Sequence, residues 1–126
     1  MSEVFVGRKA VNINMKIAVT HKDNEIFQNF VALSEVKIYT VDNDKIIKSE
    51  VLDVSEYKGT ALTGFLVFED VNVLICGGID GKLLASLLSV GIKTYPGVKG
   101  NCDTEAEKYI NGEMDFMPNA SCHHEH

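Results

Sequence analysis

Residues 71–95, VNVLICGGIDGKLLASLLSVGIKTY, constrain the fold more than any other stretch of the chain. The first six are almost wholly apolar and stop at Gly77-Gly78, as expected of a short strand buried on both faces. Asp80 stands where a helix N-cap belongs. Leu83, Leu84, Leu87 and Leu88 then recur at helical spacing, and Gly91 takes the C′ position that ends such helices. IKTYP follows as a second short strand, with Pro96 at its end. Strand, helix and strand in 25 residues leave room only for a crossover between parallel neighbours, which implies a sheet with helices on its faces.

The rest of the chain fits around this unit. KIAVT (16–20) is a short β-branched run and reads as another buried strand. Residues 35–54 give two strand-like runs around Asp42-Asn43-Asp44, a polar turn that makes a β-hairpin. Between Gly59 and Asp70, Leu62, Phe65, Leu66 and Glu69 fall at helical spacing, against the low propensity of Gly64 and Val67. A last helix opens near Cys102. Thr104 with Glu107 has capping-box spacing, Asp103 is a rival cap, and Ala106, Tyr109, Ile110 and Met114 form its apolar stripe. The sum is an α/β chain with five strands in one sheet. Residues 1–14 are read as an N-terminal extension, 15–116 as the domain and 117–126 as a Cys/His-rich tail.

Composition limits function. With 126 residues, 45 % of them hydrophobic, the chain can build one core but hardly two. A net charge of −6 and scattered lysines argue against nucleic acid as a partner. No apolar run approaches the ~18 residues of a membrane span. The first residues lack the apolar core of a signal peptide, so a cytoplasmic location and no membrane partner are expected. Three cysteines at wide spacing do not make a disulfide framework.

In open α/β sheets, ligands gather beyond the carboxyl ends of parallel strands. His21, Cys76 and Cys102 all fall at or just after such ends, as do Gly77, Gly78 and Gly81. Each has a plainer reading. Cys76 can be a small core hydrophobe, and His21 a solvated loop residue. Cys102 sits beside a helix N-terminus, which would lower its thiol pKa, or it is an incidental loop cysteine. GGIDGK (77–82) is one residue too short for a nucleotide P-loop and has Leu83 in place of the metal-binding hydroxyl. What survives is a Gly-rich helix start whose N–H groups could hold an anion or an anionic cluster, or a simple tight turn.

The densest ligand-type residues end the chain, in SCHHEH. In an extended segment Cys122, His124 and His126 would share one side, with His123 and Glu125 opposite. A thiolate with imidazoles suits zinc, iron or copper, and the interrupting Cys and Glu are unlike a purification tag. No nucleophile, base and orienting residue can be ordered into a catalytic set, and no enzyme activity is expected.

From Met15 to about Asp115 the chain resembles the dinitrogenase iron–molybdenum cofactor family, the domain of NifX, NafY and the NifB C-terminus. The resemblance is carried by MKIAV, by residues 71–95 and by GVKGNCDTEAEKYINGEM. It implies a ribonuclease-H-like three-layer fold with a mixed sheet. It also implies a non-catalytic carrier or assembly accessory that binds an iron–sulfur or iron–molybdenum–sulfur cluster and serves a client metalloprotein. A single Fe or Zn ion is the simpler cargo, and a small interaction or regulatory domain without cofactor is the alternative function. Many members carry His-Phe-Gly after the first strand, whereas here Gln28-Asn29-Phe30 stands in that region without histidine or glycine. Several stand-alone members end in a Cys/His-rich segment similar to this one.

Overall fold

A computed structural model describes residues 3–6 and 9–114. The strands are β1 (Glu3–Val6), β2 (Lys9–Lys22), β3 (Glu25–Ile26), β4 (Glu35–Asp42), β5 (Lys45–Asp53), β6 (Val73–Ile75) and β7 (Lys93–Tyr95). The helices are α1 (Ala61–Phe68), α2 (Gly81–Ser89) and α3 (Cys102–Ile110). The sheet runs β5-β4-β2-β6-β7, with β1 and β3 also paired to β2. β6 lies parallel to both β2 and β7, and β4 is antiparallel to β2 and β5, so the sheet is mixed.

Period-two alternation sorts the core into two halves. Ala18, Val36, Ile38, Leu74 and Cys76 face α1 and α2, meeting Leu62, Leu66, Leu83 and Leu87. Ile17, Val19, Tyr39, Val41, Val73 and Ile75 face α3, meeting Cys102 and Ala106. Helices therefore cover both faces, giving three layers around the five-strand path expected from the sequence. β6 is buried at all three positions, as its unbroken apolar run requires.

Three local features differ from the sequence reading. β2 is fourteen residues long and runs on both sides of Met15, where the extension was expected to end. A hairpin joins β2 to β3 through Asp23 and Asn24, both at positive φ (53° and 68°), which is the two-residue turn that Asp and Asn tolerate best after glycine. Asn43 and Asp44 build the β4–β5 turn in the same way. Finally, α3 is capped by Asn101, whose Oδ1 accepts from the Thr104 N–H at 3.0 Å. Thr104 already lies within the helix, and Asp103 is drawn to β4 by Lys37 and Tyr39.

Candidate functional site

β2, β6 and β7 point the same way, so their carboxyl ends open onto one edge of the sheet. The loops there are tied together by their backbones. Ile26 N–H donates to Gly100 O (2.8 Å), Cys102 N–H to Asn24 O (2.9 Å), Val98 N–H to Cys76 O (3.0 Å) and Gly97 N–H to Gly77 O (2.9 Å). Gln28 closes the group. Its Nε2 donates to Ile26 O and Val98 O, both at 3.0 Å, and its chain lies directly over Gly77. A Cβ at Gly77 would meet Gln28 Oε1 at 2.5 Å and Gln28 Cα at 2.7 Å, so this glycine is required by close approach. Gln28 is exposed and Gly77 is buried beneath it.

Gly78 is half-buried and Gly81 is exposed at the start of α2, with open space where its side chain would be. Asp80 caps that helix, its carboxylate accepting from the Leu83 N–H at 2.8 Å. The positive end of α2 therefore already holds an anion, a carboxylate from its own chain.

The structure separates the two described cysteines. Cys76 lies wholly buried between the sheet and the α1–α2 layer, whereas Cys102 belongs to the α3 side of the core. Adjacent strand positions point to opposite faces, so the parity of β6 decides this for Cys76. At Cys102, proximity to the α3 N-terminus does not produce the low thiol pKa expected. Burial pushes the thiol up to about 12; the nearby Lys37 charge pulls the other way without reversing it. Its Sγ sits 3.7 Å from Thr20 O, a contact of a core thiol.

His21 is 7 % exposed and is not a solvated loop residue. It sits on β2 opposite the end of β4, and its Nδ1 donates to the Glu35 carboxylate at 2.7 Å. A carboxylate only accepts, so this contact places a proton on Nδ1. Nε2 lies 3.5 Å from Asn24 Oδ1, too long for a strong bond. Among the described residues no three His, Cys, Asp or Glu side chains are grouped to hold a metal ion.

Beside His21 the same face carries a polar cluster that the sequence reading missed. Lys37 Nζ donates to Asp103 Oδ1 at 2.8 Å, and the Tyr39 hydroxyl donates to the same oxygen at 2.5 Å. Lys37 first and Tyr39 second hold the Asp103 carboxyl below the usual range. Burial, then the Asp103 hydrogen bond, drives Tyr39 far above an ordinary phenol. Alternation in EVKIY could have shown that Glu35, Lys37 and Tyr39 share a face; the arrival of Asp103 is a tertiary event. Tyr39 is 1 % exposed, so Asp103→Ala leaves a buried donor without its acceptor and should cost about 1–3 kcal/mol. Tyr39→Phe leaves only a carboxylate that water and Lys37 can serve, and should cost less. Equal losses in denaturant titrations would refute this account.

Cys122, His123, His124 and His126 lie outside the described residues. The family model for dinitrogenase iron-molybdenum cofactor matches residues 14–126, nearly the whole chain and including all four. The protein belongs to this family. No curated protein matches the chain. Among solved structures, PH0822 is similar at 18 % identity, with 83 % of this chain and 96 % of that one covered and a TM-score of 0.76. The MJ0327 protein of Methanococcus jannaschii matches at 24 % identity, covering 86 % and 98 %, with a TM-score of 0.68. The apo form of the orange protein from Desulfovibrio gigas matches at 18 % identity, covering 86 % and 97 %, with a TM-score of 0.70. At these identities the likeness shows the fold. This family member has no helix among its described residues long and apolar enough to cross a membrane.

Proposed function

We propose that this protein is a non-catalytic accessory protein that carries an iron–sulfur or iron–molybdenum–sulfur cluster as cargo for a client metalloprotein in the cytoplasm. Membership of the dinitrogenase iron–molybdenum cofactor family carries the proposal. The cargo's soft ligands are Cys122, His124 and His126, with His123 as a further donor, on a tail of residues 117–126 attached to the 15–116 domain. The location of the other thiols supports this choice. Cys76 and Cys102 serve opposite halves of the core, so reaching one ligand would require dismantling both layers. Gln28 covers Gly77, and this leaves half-buried Gly78 and exposed Gly81 as the accessible part of the glycine turn. Exposed Lys82 and Lys99 stand in the α2 start and the β7–α3 loop and would favour an anionic cargo at this edge. His21, fixed by Glu35, is the one imidazole the domain itself offers there.

The test is anaerobic loading with iron and sulfide, followed by metal analysis and visible absorbance. The intact chain should retain iron with charge-transfer bands. A chain ending at Ala120 should lose at least tenfold in affinity, about 1.4 kcal/mol or more, and Cys102→Ala should bind as the intact chain does. Equal binding by the truncated chain would sink the tail assignment. If the intact chain retains no iron, zinc or cluster, the carrier reading falls and an interaction domain without cofactor takes its place.

A further inference from the structure

β5 forms one end of the strand order, and no strand among the described residues pairs with its outer edge. It is nine residues long, and its exposed positions include Ile47 (59 %) and Val51 (46 %). A long edge with exposed apolar residues invites another strand. The sequence of β5 says which one. KIIKSEVLD is complementary to itself when reversed about Ser49. Under a two-fold axis at Ser49, antiparallel pairing sets Lys48 against the partner's Glu50 and brings Val51 to the partner's Ile47; beyond them the bulge puts Ile46 and Leu52 on opposite faces of the sheet.

We propose that β5 is a homodimerisation strand, joining two copies of this chain antiparallel about Ser49 into one continuous sheet. This interface is independent of the cargo-binding reading. Side-chain parity supports it. Lys48 and Glu50 share one face and Ser49 and Val51 the other, so the pairing makes two ion pairs on one face and brings exposed Val51 to the partner's Ile47, the bulged residue. Lys48 and Glu50 have no ion-pair partner among the described residues of their own chain. Asp53 is engaged with Ser55, and the register shift against β4 falls at Ile47 itself, because Thr40 pairs with Lys48 and Val41 with Ile46. The regular stretch from Lys48 to Val51, with its two Lys48–Glu50 pairs, therefore carries the interface. Edge lysines repel most incoming strands. Here a second copy in this one register neutralises them, while a foreign strand or a slipped register leaves them unmatched, which favours self-association over other occupants.

The test is sedimentation equilibrium of the full chain across concentration, with circular dichroism confirming that each variant is folded. The natural chain should approach twice its monomer mass. Lys48→Glu and Glu50→Lys each place two like-charge pairs across the axis and should raise the dissociation constant about ten- to thirtyfold. The double variant K48E/E50K should restore the dimer, and an equimolar mixture of the two single variants should form a mixed dimer. Amides of residues 47–51 in the natural chain should gain protection from hydrogen exchange as concentration rises. A chain that stays monomeric throughout, or a dimer indifferent to both single reversals, would overturn the proposal.

Discussion

Leu74→Ala is expected to cost about 2–5 kcal/mol. Leu74 is the middle residue of β6, wholly buried, paired to Ala18 on one side and Thr94 on the other. Its side chain enters the half of the core formed with Leu62, Leu66, Leu83 and Leu87. Two helices and three strands converge there, so the vacated volume has no single mobile neighbour to fill it. A domain of this size is stable by roughly 5–15 kcal/mol, so one truncation removes a large part of the total. The midpoint of thermal unfolding should fall by about 10 °C or more. Leu74→Ile keeps the volume and should lose less than about 1.5 kcal/mol. An alanine variant within about 1 kcal/mol of the natural protein, on the same ~5–15 kcal/mol scale, would mean that β6 is not packed inside the sheet between β2 and β7.

The β6-α2-β7 unit was legible in the sequence because its elements are consecutive and each announces itself. The apolar run is too short for a helix, Asp80 caps, and Gly91 at φ 85° stops the helix. The β4–β5 hairpin was legible for the same local reason, a polar Asn-Asp turn between two strand-like runs. The β2–β3 hairpin carries an equivalent Asp-Asn signal at 23–24, but β3 is only two residues long and shows no alternation. The cap of α3 was misplaced because several polar residues near its start could each serve. The choice fell to Asn101 once Lys37 and Tyr39, 64 or more residues earlier in the chain, took Asp103. Local chemistry proposes such caps and tertiary packing selects among them.

The candidate site was less legible, and the two cysteines show why. Strand parity assigns Cys76 to the same side as Leu74 from sequence alone. Which side receives α3, and with it Cys102, depends on how the chain crosses the sheet after β7. No local pattern encodes that choice. Likewise, GGIDGK suggested a cradle for an anion, and neither Asp80's occupation of the helix start nor Gln28's position over Gly77 follows from the glycine spacing. The tail residues Cys122, His123, His124 and His126 were conspicuous by type, and the family match extends over them.

Gly77→Ala should disturb this edge of the protein more than its one added carbon suggests. The new Cβ would sit 2.5 Å from Gln28 Oε1 and 2.7 Å from both Gln28 Cδ and Cα. Two of these atoms belong to a side chain that can swing away. The third is backbone, and moving it shifts the segment that carries Asn29 and the short turn Phe30–Ala32. The side chain cannot leave without breaking its bonds to Ile26 O and Val98 O. Overpacking of this kind costs about 1–3 kcal/mol. Gln28→Ala removes the mobile clash and the two bonds but leaves the clash with the backbone of residue 28, so the double variant should recover only part of the loss. A double-mutant cycle in denaturant would measure that coupling. Full recovery would mean the clash is confined to the side chain, and no coupling would mean that Gln28 does not rest on Gly77. Partial recovery would make Gln28 a structural brace over Gly77, and under the proposed carrier function the cargo's ligands would then have to come from elsewhere than this segment.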